Sequence, residues 1–120
     1  MSDLQPTIDF ETFTRLDLRV ATIRKAEHHP DADRLLRLQL DDGTEEGRQV
    51  CAGIRKWIED PSTLEGSQVV IVANLEPRVI RGERSEGMVL AATAADGEGN
   101  TTDLAVVRID HPLPAGSRVS

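Results

Sequence analysis

The sequence predicts an all-β domain: a five-stranded antiparallel barrel with short helical insertions and an extra C-terminal strand. Three observations carry that expectation. Short β-rich segments alternate with Gly, Pro, Asp and Asn turns along most of the 120 residues. Helical signals are confined to single turns. Aromatic residues make up 2% of the chain against 38% hydrophobic residues overall. The core must therefore be aliphatic, built from Leu, Val, Ile and Ala.

Each element has its own justification. Residues 1–7 read as a flexible N-terminal arm, and 8–120 as one domain, the number a chain of this length supports. Thr7 is placed to cap a helical turn over Ile8–Phe13, with acids in its first turn. Phe10 and Phe13 then share one side and cover an apolar surface. Leu16–Ala26 is the first strand, with Leu18 and Val20 alternating against Arg19 and Ala21. Leu36, Leu38 and Leu40 alternate with Arg37 and Gln39, the pattern of a half-buried strand. Asp41-Asp42-Gly43 turns the chain into a third strand, Arg48–Ala52. Arg55–Ile58 makes a helical turn. Asp60-Pro61 is a start signal for a second one. Val69–Ala73 is a continuous apolar run, too short for a helix, and predicts a central strand buried on both faces. Gly87–Thr93 is the fifth strand, residues 96–100 a hairpin loop, and Leu104–Ile109 the sixth strand before a Pro-rich tail. Five strands with a helical insert between the third and fourth match an oligonucleotide/oligosaccharide-binding (OB) barrel.

Charge is distributed unevenly. Lys+Arg number 14 and Asp+Glu 21, a net charge of −7, which as a whole repels nucleic acid. Acids crowd Asp41–Glu46 and Glu59-Asp60, while arginines gather at Arg34 and Arg37 and at Arg78, Arg81 and Arg84. All basic residues except Lys25 and Lys56 are Arg, which binds phosphate bidentately and stacks on bases. A GC-rich or salt-adapted genome produces the same overall bias. The segment 74–88 follows the most apolar strand and carries Arg78, Arg81 and Arg84 at three-residue spacing, with Pro77 and Gly82 fixing bends. One reading is a cationic loop for phosphates, with Asn74 and Ser85 as directional hydrogen-bonding groups. The other is a solvated loop whose arginines pair with Glu76, Glu83 and Glu86.

Other groups narrow the chemistry. His28, His29, Asp31 and Asp33 invite a metal reading, but no second Cys or His pair completes a cage, and Pro30 with Asp31 and Asp33 is ordinary turn chemistry. A rim contact from His29 or Arg34 to a ligand is the expectation there. Cys51, the single cysteine, excludes an internal disulfide framework and reads as a small buried hydrophobe. No nucleophile–base set, phosphate-binding loop or dinucleotide fingerprint is present. No catalytic residue, metal or cofactor is expected. There is one Trp and no Tyr, too few aromatics for stacking unpaired bases, so any nucleic acid is read by shape and backbone. No apolar run approaches the ~20 residues of a membrane helix, and the N-terminus lacks a secretory pattern. A soluble, cytoplasmic protein without a membrane partner is expected.

Several segments together resemble a known family. They are Asp17-Leu18-Arg19-Val20, the turn His29-Pro30-Asp31-Ala32-Asp33-Arg34-Leu35, Gln49-Val50-Cys51-Ala52-Gly53-Ile54, and the long run from Val72-Ala73-Asn74-Leu75 through Pro77-Arg78, Arg81-Gly82, Ser85 and Gly87-Met88 to Leu90-Ala91-Ala92. The combination resembles the stand-alone tRNA-binding domain. That domain also occurs at the C-terminus of methionyl-tRNA synthetases and in a polypeptide related to a monocyte-activating cytokine. The resemblance implies an OB barrel, a homodimer, and structure-specific tRNA binding without chemistry, with an aminoacyl-tRNA synthetase as a possible partner. It places Asn74, Arg78, Arg81, Ser85 and Met88 in the binding motif, beside Arg84 of the same loop. Arg34, Arg55 and Lys56 are basic neighbours. Relatives often carry Lys where this chain has Glu76 and Val79, and Gln where it has Glu86. A dimeric export chaperone of the CsaA type is also similar, and implies an alternative: peptide capture by an apolar groove of Val79, Ile80 and Trp57. The segments Leu104–Ile109 and Pro112–Val119 are the expected dimer contact.

Overall fold

The structure, a computed structural model, describes residues 4–120; part of the expected arm, residues 1–3, lies outside them. Strand β1 (Leu18–His28) is the spine of the barrel. Its first half pairs antiparallel with β4 (Gln68–Val72), from Leu18 opposite Val72 to Thr22 opposite Gln68. Its second half pairs with β2 (Leu36–Asp41), ending with His28 opposite Leu36. The register slips between Ile23 and Lys25, and such a bulge lets one strand bend from one partner to another. β2 pairs with β3 (Arg48–Ala52), and β4 with β7 (Met88–Val89), giving the order β3-β2-β1-β4-β7. The open edges nearly meet. The Glu86 N–H donates to the Gln49 carbonyl at 2.8 Å, and the Cys51 N–H to the Ser85 hydroxyl at 2.9 Å. The result is an all-β, OB-like barrel.

The alternation read from the sequence is the alternation observed. Leu36, Leu38 and Leu40 are buried while Arg37, Gln39 and Asp41 are half-buried on the outer wall. Val69–Val72 is buried throughout, with Val69 and Ile71 in the barrel core. The insert after β3 holds two short helical turns, Arg55–Trp57 and Pro61–Leu64. Asp60 caps the second through its carboxylate, and Leu64 seals the barrel beneath it.

Five features differ from expectation. Helix α1 runs over Phe10–Thr14 and is capped by Asp9, whose carboxylate accepts the Thr12 N–H at 2.7 Å; Thr7 plays no part. Phe10 is 77% exposed and its ring stands 6.3 Å from that of Phe13, so it does not cover the expected apolar surface. The fifth strand is broken at Leu90, where the chain leaves β4 and becomes β8 (Ala91–Ala95), paired with β9 (Thr101–Val106) in a projecting hairpin. The Pro-rich tail ends in β10 (Arg118–Val119), which pairs with the start of β1. Finally, the segment expected as a loop is a hairpin, β5 (Arg78–Ile80) and β6 (Glu83–Ser85).

Candidate nucleic-acid interface

The β5–β6 hairpin turns through Arg81 and Gly82, with φ of +46° and +85°. Two consecutive positive φ values define the tight turn that matches strand twist. Gly82 adopts this conformation without strain, whereas Arg81 is a bulky residue in a region that disfavours side chains. The fold thus holds a guanidinium at the hairpin tip at some local cost, a frequent property of functional sites.

Register sorts the arginines. Arg78 lies opposite Ser85, Val79 opposite Arg84 and Ile80 opposite Glu83. Directly opposed residues share a face. Arg78, Ile80, Glu83 and Ser85 therefore face the barrel wall, and Val79 and Arg84 face away. The three-residue spacing does not make one row. It gives one arginine against the wall, one at the tip and one outside.

Side-chain bonds fix the hairpin to the barrel. Arg37 of β2 pairs with Glu83 of β6 and, at 2.8 Å, with Glu27 of β1. The Arg37 hydrogen bond holds the Glu27 carboxyl below its ordinary range, against the upward push of burial. Gln49 donates to the Arg84 carbonyl at 2.8 Å. Ser85 is 4% exposed; its hydroxyl accepts from Cys51 and donates to the Gly87 carbonyl. Ser85 is thus a closure residue and offers no free hydroxyl on the surface. Asn74 is likewise occupied: its Oδ1 accepts the Asp17 N–H at 2.9 Å and its Nδ2 donates to the Arg15 carbonyl at 2.6 Å.

The cations are better placed. Arg34, in the loop 29–35 between β1 and β2, lines a polar cleft of about 310 Å³ with Arg81, Asp31 and Asp33. In OB barrels the loop joining the first two strands and the loop before the last one flank the ligand face, and this cleft lies between their counterparts. Arg55 donates to the Ala32 carbonyl at 3.4 Å, on the back of the same loop. Lys56 sits 5.0 Å above the Trp57 ring, a cation–π distance. Arg84 lies 3.7 Å from Glu86. Among the described residues no carboxylate is within ion-pair distance of Arg34, Arg55, Lys56, Arg78 or Arg81. Glu83, one of the acids expected to neutralise the loop, is engaged by Arg37 instead. Met88 is 46% exposed, beside the hairpin at the start of β7.

Two residues take roles the sequence did not suggest. His29 is 2% exposed, so it is no rim contact; its two ring nitrogens are bonded to the Ile80 carbonyl and the Asp31 N–H. Arg48 reaches across the barrel end to the carbonyls of Ala73 and Glu86. Burial raises the Cys51 thiol, and Glu83 adds to this while Arg37 and Arg78 oppose it, so Cys51 lacks the lowered value of a nucleophilic thiolate. Among the described residues no group of three or more His, Cys, Asp or Glu is arranged to hold a metal ion, and no helix is long and apolar enough to cross a membrane.

Comparison with known proteins identifies the family and the fold. Residues 18–118 match the family described as "Putative tRNA binding domain". The methionine–tRNA ligase of Azoarcus sp. (strain BH72) is 48% identical over 120 residues, covering 95% of this chain and 16% of the ligase. That of Chlorobium limicola is 53% identical over 93 residues, covering 78% of this chain and 13% of the ligase. The chain thus spans less than a fifth of the length of these curated relatives. A methionyl-tRNA-synthetase-related protein from Pyrococcus horikoshii superposes with a TM-score of 0.82 at 28% identity, over 97% of this chain and 100% of that one. The chaperone CsaA of Bacillus anthracis gives a TM-score of 0.78 at 33% identity, over 96% and 100%. Since the family match runs from the first residue of β1 into β10, the chain belongs to the tRNA-binding domain family.

Proposed function

We propose that the chain is a non-catalytic, structure-specific tRNA-binding module that serves methionyl-tRNA synthetase as an accessory. The observation that carries this reading is the hairpin tip, where Arg81 is held in a left-handed turn across a polar cleft from Arg34, neither with a carboxylate within ion-pair distance among the described residues. Guanidinium groups held this way suit phosphates, which position a polynucleotide without reading its bases. Arg78, Arg84, Arg55 and Lys56 extend the cationic surface, and Met88 adds an exposed apolar contact. Trp57, the single Trp, is half-buried beneath Lys56, which favours recognition of shape over base stacking. Asn74 and Ser85 support the surface through their bonds to the backbone.

The double variant Arg78→Glu/Arg81→Glu tests the assigned face. Gel-shift titration with folded tRNA at low salt is expected to show binding by the wild type and at least tenfold weaker binding by the variant, since two phosphate contacts become repulsions. Equal affinity rejects the face. Co-purification with a methionyl-tRNA synthetase tests the accessory role.

We infer further that the module is a homodimer. Ala92 lies opposite Ala105 and Ala94 opposite Asp103 on the β8–β9 hairpin, while Leu104 and Val106 pack on the core. The outer face is therefore small and largely apolar. Ile8, Phe10 and Leu16 are also exposed. A second copy would cover such surface, and light scattering is expected to give twice the 13.2 kDa of one chain. The chaperone alternative is less favoured, because Val79 and Ile80 lie on opposite faces of the hairpin. An unchanged client aggregation curve is the expected result.

A further inference from the structure

The loop carrying Arg34 and the hairpin carrying Arg81 are tied by a bond from the His29 ring to the Ile80 carbonyl at 2.8 Å, between residues 51 apart in sequence. The second ring nitrogen, Nδ1, receives the Asp31 N–H at 3.0 Å. These partners dictate the protonation state. A backbone amide can only donate, so Nδ1 must offer a lone pair. A carbonyl can only accept, so Nε2 must carry the hydrogen. Both conditions hold for one neutral tautomer and for no charged form.

We propose that His29 is a positioning residue for the RNA-binding cleft: it holds Arg34 and Arg81 at their working separation only while its imidazole is neutral, so tRNA affinity falls on acidification. This rests on the reading of the hairpin as the tRNA face. Protonation would put an N–H on Nδ1 directly against the Asp31 N–H, donor to donor. Relief requires the 29–35 loop to shift, and Arg34 lies in that loop. The loop is otherwise closed by the His29 N–H to the Leu35 carbonyl and by the Leu35 N–H to the Ala32 carbonyl, so a shift at Asp31 is passed along a short path.

The charged neighbours come from each element packed around the ring. Asp31, Asp33 and Arg34 stand on its own loop, and exposed His28 precedes it. Arg81 and Glu83 stand on the hairpin, Glu83 being paired with Arg37 of β2. Arg55 reaches the loop from behind through the Ala32 carbonyl. None of these side chains bonds either ring nitrogen, so none is in place to accept the added proton's hydrogen bond. The sign of the effect is diagnostic. As pH falls, exposed histidines gain charge and carboxylates begin to lose it, and both changes favour a polyanion. A latch that fails on protonation works the other way.

Fluorescence anisotropy with labelled tRNA, at fixed ionic strength and at pH 7.5 and 5.5, tests this on the full chain. Linkage permits a change of up to tenfold per pH unit for one proton that the bound state excludes. Wild type is expected to bind about fivefold or more weakly at pH 5.5, and His28→Gln to show the same fall. His29→Gln can still donate to the Ile80 carbonyl but does not titrate, so its affinity is expected to stay level. Unchanged or tighter wild-type binding at pH 5.5, or an undiminished fall in His29→Gln, overturns the proposal. The ligand-free wild type gives a second readout by NMR. The amide signals of Asp31, Ile80 and Arg81 should move together between these pH values; amides that stay still overturn the latch, whether or not any variant folds. Absence of tRNA binding at pH 7.5 instead rejects the functional reading, and the amide signals then decide the latch alone.

Discussion

Asp42 and Arg48 show how one residue pair can hold a barrel end closed. The Arg48 Nε donates to Asp42 Oδ2 at 2.8 Å with both side chains largely enclosed. Its Nη1 bonds the carbonyls of Ala73 and Glu86 at 2.9 and 3.0 Å. One guanidinium therefore joins the β2–β3 turn, the end of β4 and the approach to β7. Burial pushes the Asp42 carboxyl up, but hydrogen bonds from the Thr44 hydroxyl, Arg48 and the Thr44 N–H outweigh it and bring it down to about 2. A carboxyl lowered in the folded state stabilises the fold above its unfolded value of 3.8 and loses that contribution as pH falls toward about 2. The contribution at neutral pH is roughly 2 kcal/mol. Asp42→Asn is thus expected to be less stable than wild type by about that much at pH 7, with the gap closing between pH 4 and 2 in urea titrations. Arg48→Met leaves a buried carboxylate unpaired, which costs about 3 kcal/mol, or roughly 10 °C in thermal midpoint. At this scale the sequence is least legible. Asn74 and Ser85 in one polar segment and His29 in another read as ligand contacts, yet the side chains of all three are bonded to the backbone, His29 and Ser85 in buried positions and Asn74 at the surface. Residue type indicates what a side chain can bond, but the fold alone decides whether solvent or a carbonyl is opposite.

Elements with a clean period were legible, and the broken fifth strand and the short hairpin before it were not. β2 was fixed by three leucines on alternate positions, and β3 matched its expected bounds because burial on one face imposes a period of two. The fifth strand was read as continuous because its apolar content is continuous. The break at Leu90 comes from its neighbours: its N–H bonds Val70 of β4 while its carbonyl accepts from Val107 beyond β9. The β5–β6 hairpin was read as a loop because each strand has three residues and one face is charged. Its turn gives a clean separation of charge from backbone. Arg81→Asn removes the guanidinium but suits a positive φ better. It is expected to leave thermal stability unchanged or slightly raised, by up to about 1 kcal/mol, while tRNA binding weakens severalfold. A parallel loss of stability would show that Arg81 supports the fold instead. Gly87→Ala makes the opposite case. Its φ is +122° and a Cβ there would lie 2.6 Å from the Val72 carbonyl oxygen. That clash is at the seam where β7 meets β4, so this variant is expected to lose about 2 kcal/mol or more in denaturant unfolding.

The whole molecule sets a conflict between a net charge of −7 and a local cationic face. Distance and salt decide it. Repulsion from acids on other faces acts over many ångströms and is screened beyond roughly 8 Å at physiological ionic strength. Guanidinium–phosphate contacts act at hydrogen-bond distance and release condensed counterions from the polynucleotide. Low salt therefore strengthens both terms, and the observed slope of affinity against salt reports their difference. With Arg34, Arg78, Arg81 and Arg84 each meeting one phosphate, log affinity against log salt is expected to fall with a slope of roughly −3 to −4 per tRNA-binding face. Arg81→Asn is expected to make that slope shallower by about one. Substituting an exposed acid outside that surface, such as Glu98→Gln in the loop of the β8–β9 hairpin, is expected to raise affinity slightly at low salt and not at all at high salt. A dimer that engages one tRNA through both hairpins would double the slope without new residues. The same titration, read beside the light-scattering mass, thus separates one working face from two. A slope near zero at any stoichiometry would mean that the acidic body, not the hairpin, governs the approach of RNA.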